Sequence, residues 1–263
     1  MTAGAVQLYL PLALYALVLG LVTGSYLNVV IHRLPRGVST VLPVSRCPSC
    51  ETRIRARDNV PLLSFLVLRG RCRSCGASIA WRYPLVEAAT GALFVACFFH
   101  FGPTWSALVA ALFGCLMIAL ALIDLEHFIL PDRITLPGIA LGLLAQPLVG
   151  WVGLRSALLG AAVGAGVILG MNAIWQALRG IQGFGLGDVK MLAMIGAFLG
   201  LSGVLVTLFL AALLGSLTGL ALLFRGRIRL QSRLPFGFFL SIGALAALFY
   251  GRAVIDWYLS FFP

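Results

Sequence analysis

Apolar runs of about 20 residues recur along this chain, and a run of that length is what a helix needs to cross the hydrocarbon core of a bilayer. Eight runs are legible, near residues 6–31, 84–101, 105–123, 134–151, 156–178, 189–201, 203–224 and 236–256. The sixth is short, and is expected to begin earlier or to join the seventh through a turn at Leu201-Ser202-Gly203. Lipid offers no partner to a bare peptide group, so such runs become helices. The expected fold is therefore an all-α polytopic membrane protein with about eight transmembrane helices. Only 10% of the residues are charged and 61% are hydrophobic, against roughly 25% charged in soluble domains. That polar surface is too small to cover a water-soluble globule. The first run lacks a basic start, is too long for a signal-peptide core and has no small-residue cleavage pattern before Arg33, so it reads as a retained span.

The net charge is +11, and its distribution orients the spans. The loop 33–83 carries ten arginines; Arg133, Arg179, Lys190, Arg225, Arg227, Arg229 and Arg233 fall in alternate loops, and the other side keeps only Arg155 and Arg252. By the positive-inside rule the basic side is cytoplasmic. With eight spans both termini are then periplasmic, in an inner (cytoplasmic) membrane. The arginines are expected to meet anionic lipid headgroups, and no nucleic-acid partner is expected.

The 33–83 loop holds four of the six cysteines, as Cys47-Pro48-Ser49-Cys50 and Cys72-Arg73-Ser74-Cys75, 21 residues apart. Each CxxC turn presents two thiolates, and two turns complete a tetrahedral four-thiolate zinc site. Two disulfides are the alternative, disfavoured in the cytoplasm. Four thiolates leave no position open for water, so the zinc is structural. A loop of about 50 residues with one short apolar run, Val60–Leu68, needs such a staple. Cys97 and Cys115 stand alone in apolar runs and read as small core residues.

Acids at membrane depth are costly and mark function. Among only eight acids, Asp124 ends the third run, in Ile123-Asp124-Leu125-Glu126-His127, and Asp188 stands in Gly185-Leu186-Gly187-Asp188-Val189-Lys190 at the mouth of the sixth. Both fall on the basic side, so they can meet although far apart in sequence. Two carboxylates sharing one proton can activate a water and protonate a scissile carbonyl without metal or nucleophilic side chain. Interfacial capping is the alternative for either residue alone. A helix N-terminus favours an ionised carboxylate, so Asp188 is expected to be the more acidic partner. Glu126, His127 and Asp132 read as solvated loop residues.

These features resemble a family. Gly24-Ser25-Tyr26-Leu27-Asn28 through Arg33-Leu34-Pro35, both CxxC pairs, Arg82-Tyr83-Pro84-Leu85-Val86-Glu87, Ile123-Asp124 through Pro131-Asp132, and Gly185 through Ala193 together resemble the bifunctional type IV prepilin peptidases. The resemblance implies that Asp124 and Asp188 are the catalytic pair of a GxGD aspartyl peptidase. The implied substrates are prepilins or pseudopilins of type IV pilus or type II secretion systems, cut after Gly at the cytoplasmic membrane face. It also implies N-methylation of the new N-terminal residue by S-adenosylmethionine. Archaeal preflagellin peptidases share the GxGD logic but lack the cysteine loop. No Gly-rich strand–helix motif marks a methyl-donor site. Asn28, His32, Glu87 and Lys190 lie in the matching stretches; Asn28 is expected to bond another helix and Glu87 to pair with Arg82 or Arg33. The functional parts are expected to be a first transmembrane helix (1–32), a cytoplasmic zinc-binding domain (33–83) and a transmembrane peptidase domain (84–263).

Two other classes are weighed against the peptidase. A transporter would explain intramembrane acids, but there is no evident internal repeat and the acids keep to one face. A zinc-ribbon membrane adaptor would explain the cysteines and arginines but not GxGD.

Overall fold

The structure is a computed structural model describing residues 3–42, 45–180, 183–226 and 234–261. Arg227, Arg229 and Arg233, counted above on the basic side, lie outside the described residues. The helices are α1 (Ala3–Arg33), α2 (Leu63–Val67), α3 (Arg82–Phe101), α4 (Trp105–His127), α5 (Asp132–Val149), α6 (Gly153–Arg179), α7 (Leu186–Phe224) and α8 (Phe236–Leu259). No strand forms among the described residues; there are only the isolated bridges Arg46–Arg53 and Arg71–Ser78.

Six helices are long and apolar enough to cross a membrane: α1 (from Tyr9), α3, α4, α6, α7 and α8. This differs from the eight runs expected, for two physical reasons. α5, expected as a span over 134–151, has 18 residues that include Asp132, Arg133, Gln146 and two internal prolines, which dilute its hydropathy. The runs 189–201 and 203–224 form one 39-residue helix, α7. At 1.5 Å per residue a helix of that length is about 58 Å long, about twice the hydrocarbon thickness.

The interruption in α7 falls at Gly200 (φ 68°, ψ −171°), one residue before the expected turn. Only glycine takes that conformation cheaply. In an unbroken helix the carbonyls of Ala197 and Phe198 would accept from the N–H groups of residues 201 and 202. Here the Nε2 of Gln146, buried on α5, donates to both, at 3.0 and 3.1 Å. A side chain from a neighbouring helix thus supplies what lipid cannot.

The chain divides into two compact units, residues 1–115 and 116–263. In the first, α1 lies against α3. Gly24 permits the approach, since a Cβ there would stand 2.8 Å from Glu87 Cα. One turn on, Asn28 Nδ2 donates to the Tyr83 carbonyl of α3 (3.1 Å), the interhelical bond the sequence suggested. Cys97 is buried in α3 and Cys115 in α4. In the second unit α7 is central: it packs on α5, α6 and α8, and residues 191–200 are buried. Outward-facing side chains include Leu144, Leu178, Phe209 and Phe224, an apolar exterior suited to lipid.

Candidate active site and cysteine cluster

Asp124 lies in the last full turn of α4, only 6% exposed. The helix unwinds immediately after His127: Phe128 takes φ 54° and its N–H donates to the Asp124 carbonyl (2.8 Å). Pro131 then opens α5. Asp188 is the third residue of α7, and its Oδ2 accepts from the backbone N–H of Gly185 at the helix start (3.0 Å). An acid here satisfies one of the orphan donors of a helix N-terminus. Asp124 uses the same device through another element, since its Oδ2 accepts from the Phe238 N–H in the first turn of α8 (3.1 Å). Each carboxylate is therefore fixed by one oxygen to the start of a helix.

Leu130 brings the two neighbourhoods together. A Cβ at Gly187, beside Asp188, would stand 2.9 Å from Leu130 Cβ, and one at Gly237 would stand 2.9 Å from Leu130 Cδ2 and 3.0 Å from Asp124 Oδ2. Alongside, Lys190 Nζ contacts both oxygens of Asp132 at 2.6 and 2.7 Å, tying the first turn of α5 to α7 two residues past Asp188. Asp132 is thus a paired residue. His127 Nε2 lies 3.9 Å from Glu126 Oε2.

Sequence reasoning missed Gly237 and Phe238, which act through backbone and lack of side chain, and Gln146, a polar residue inside an apolar run. Pro235 at the N-cap of α8 was the available signal for a helix start beside the site.

In the first unit, the sulfurs of Cys47, Cys50, Cys72 and Cys75 all lie within 4.8 Å of one another. Cys47 Sγ and Cys75 Sγ are 3.9 Å apart. Zinc–sulfur bonds of about 2.3 Å in tetrahedral array place sulfurs about 3.8 Å apart, whereas a disulfide needs about 2.05 Å. All four cysteines are free, so the set fits a metal and not a pair of disulfides. The two CxxC turns repeat one geometry. Cys47 N–H donates to the Thr52 carbonyl and Glu51 N–H to the Cys47 carbonyl; Cys72 N–H donates to the Ala77 carbonyl and Gly76 N–H to the Cys72 carbonyl. Glu51 (φ 55°) and Gly76 (φ 71°) take the same left-handed position. Hydrogen bonds from the Thr52 side chain and backbone pull the Cys50 thiol down to about 6. Backbone N–H groups of Cys75 and Ser74 lower Cys72. At these two cysteines the donors favour the thiolate, the form that binds a metal; the Cys75 thiol, beside the other three sulfurs, is pushed up to about 11. Arg73, inside the second turn, grips Asp58 through Nε and Nη2 at 2.7–3.1 Å, and that bond holds the Asp58 carboxyl below its ordinary range.

Fold and sites together define a polytopic helical membrane protein with two acids held by N–H groups of helix starts and a four-cysteine loop. The model of the bacterial peptidase A24 N-terminal domain matches residues 18–101, and that of the type IV leader peptidase family matches residues 110–220. The chain belongs to the type IV leader peptidase family. A prepilin leader peptidase/N-methyltransferase of Burkholderia pseudomallei strain 1026b is 39% identical over 262 residues, covering 90% of this chain and 85% of its own. Proteins of the same name from Aeromonas hydrophila and Stutzerimonas stutzeri are 39% and 38% identical, covering 96% and 95% of this chain and 96% of each relative. No solved structure matches the chain.

Proposed function

We propose that this protein is a prepilin leader peptidase that also N-methylates its product, with Asp124 and Asp188 as the catalytic pair. The observation that carries the assignment is the common setting of the two acids, each with Oδ2 held by a backbone N–H at a helix start and each with a neighbouring glycine, Gly187 or Gly237, packed on Leu130. The hydrogen bonds that hold the two acids come from backbone N–H groups, not from side chains, which leaves the carboxyl groups available for proton transfer. The ionised member takes a proton from water as that water attacks the carbonyl carbon of the Gly at the cleavage point. The protonated member gives its proton to the carbonyl oxygen, and the tetrahedral intermediate collapses as the leaving amine is protonated. Because both acids face a helix N-terminus, the dipole argument that singled out Asp188 applies equally to Asp124, and the pair is treated as one unit.

Prepilins and pseudopilins are the substrates, and the cut is placed where a basic leader leaves the bilayer and an apolar helix enters it. The basic loops face the cytoplasm by the positive-inside rule; with α5 counted once and α7 twice, both termini are periplasmic. Cys47, Cys50, Cys72 and Cys75 hold a structural zinc ion that fixes the loop 33–83 between the first span (1–32) and the peptidase region (84–263). S-adenosylmethionine supplies the methyl group. The transporter and adaptor readings leave the family match unexplained.

The test is cleavage, in detergent, of a synthetic prepilin with a basic leader, a Gly-Phe junction and an apolar helix. The parent is expected to cut it, and Asp124→Asn and Asp188→Asn to insert normally but not cut. Cleavage retained by either variant removes that residue from the pair. Mass analysis of the product with S-adenosylmethionine present reads the methyl group in the same experiment.

A further inference from the structure

We propose that Glu87 and Asn28 form the acceptor site of the methyl transfer, holding the new α-amino group of the processed substrate. The inference rests on the N-methylation part of the proposed function. Three observations in the first compact unit carry it.

The first is elimination among acids. Residues 1–115 contain Glu51, Asp58 and Glu87. Glu51 is exposed on a cysteine turn, and Asp58 is gripped by Arg73. Glu87 is buried at 9% exposure in the second turn of α3. A side chain in a helix leans toward its N-terminus, so the Glu87 carboxylate projects from the level of Gly24 toward that of Asn28 on α1. A buried acid in a membrane-crossing helix is a functional residue by default.

The second is backbone strain held by that acid. Leu62 has φ 58° and ψ −48°, and the Leu63 N–H donates back to the Pro61 carbonyl at 2.6 Å. This is a γ-turn of the rare, strained hand, built on a branched residue. The Leu62 N–H donates to Glu87 Oε2 at 2.8 Å. Glu87 thereby holds the strained turn with one oxygen. Strain of this kind concentrates at functional sites and persists only where its surroundings impose it.

The third is an unused acceptor. Asn28 is 2% exposed. Its Nδ2 donates to the Gly24 and Tyr83 carbonyls at 3.3 and 3.1 Å. Two carbonyls as neighbours fix which end of the amide is nitrogen. That leaves Oδ1 buried with no partner among the described residues. A bare buried acceptor is costly unless a ligand supplies a donor. On the α1–α3 seam the missing ligand is therefore a hydrogen-bond donor, and the carboxylate of Glu87, one helical turn along α3 from the Tyr83 that Asn28 touches, favours a cationic one. An α-ammonium group at the end of an apolar helix has that chemistry.

The step balances as follows. Glu87 takes one proton from the α-ammonium group, and Asn28 Oδ1 accepts an N–H bond that orients the amine. The freed nitrogen lone pair forms the N–CH3 bond to the methyl carbon of the sulfonium donor, while the C–S bond breaks and its electron pair stays on sulfur. The product is a methylammonium ion and a neutral thioether. Glu87 acts here as a general base, a role contributing about 10²–10⁴-fold.

The experiment uses the full chain in detergent with a processed peptide that begins with Phe and continues as an apolar helix. Binding is measured without methyl donor, for the free-amine and N-acetylated peptides. The parent is expected to prefer the free amine at least tenfold, and Glu87→Gln to bind both alike. Gln keeps an oxygen for the Leu62 N–H, so the turn survives, and unchanged protease protection of the loop 33–83 reports that the variant is folded around the site. With S-adenosylmethionine added, methyl transfer by Glu87→Gln is expected to fall at least a hundredfold, and by Asn28→Ala about tenfold. In the parent protein, zero-length carbodiimide coupling of the peptide amine is expected to map to Glu87, a readout that survives even if the variants misfold. Methyl transfer by folded Glu87→Gln within threefold of the parent overturns the proposal. So does an unchanged free-amine preference, or coupling confined to other acids. A parent that cleaves but never methylates overturns the methylation reading itself, a result distinct from all of these.

Discussion

The cysteine cluster and the aspartate pair are assembled by opposite strategies. The four sulfurs come from a 29-residue stretch, 47–75, each pair on one tight turn whose hydrogen bonds are internal to the turn. The acid pair joins residues 64 positions apart, and a third element, α8, supplies the amide that holds Asp124. A short loop can close a metal site because the metal supplies the energy. A carboxylate pair has no such donor of energy and must be imposed by packed helices. The cysteine site is therefore local and, on the zinc reading proposed above, expected to depend on its ligand; the acid site is long-range and is held by packing alone.

The largest expected effect is at the acids. Asp124→Asn or Asp188→Asn should reduce kcat for prepilin cleavage by about 10³-fold or more while membrane insertion, read by protease protection, is unchanged. Partial activity in either would break the contrast, because the site would then not need both distant residues. Next comes Cys72→Ser or chelation with verified metal loss. Apparent structural-zinc binding is worth about 10–16 kcal/mol, so the loop 33–83 should become sensitive to protease, and methylation should suffer more than cleavage. A loop that stays protected without metal would show that it is held as the helices are.

Gly237→Ala sharpens the comparison from the other side. Its Cβ would meet Asp124 Oδ2 at 3.0 Å and Leu130 at 2.9 Å, and a displacement of that order can cost about 10²-fold. The loss should appear in kcat with KM little changed. Adding Leu130→Ala removes only the leucine contact, so recovery by the double variant would assign the loss to packing and not to the carboxylate. Gln146→Leu should be milder. It strips partners from two buried carbonyls at the Gly200 break, at about 1–3 kcal/mol each, read as a lower unfolding temperature in detergent. Smallest is Asp58→Asn. It removes an ion pair whose arginine is 46% exposed though the carboxylate is only 9% exposed, and protease sensitivity of the loop should change no more than a few-fold.

The membrane class was legible in the sequence because apolar run length maps directly onto bilayer thickness. The number of crossings was less so. Gly200 and the pair 202–203 both look like a turn in sequence, and which residue leaves helical geometry is settled by Ser156 and Gln146 on neighbouring helices. Lys190 and Asp132 were each visible as charges, but their pairing required α5 and α7 to start side by side.

By itself the sequence determined the chemistry on offer: four thiols at knuckle spacing, two acids where acids are scarce, and helices long enough to span. Those readings rest on residue type and local spacing, which the chain carries whatever its fold. Tertiary structure alone decided that the Phe238 amide anchors Asp124, that Gly237 leaves room for it, that Glu87 holds a strained turn, and that Asn28 keeps an unused oxygen. These depend on backbone atoms and on absent side chains, and such groups have no signature until helices distant in sequence are packed together.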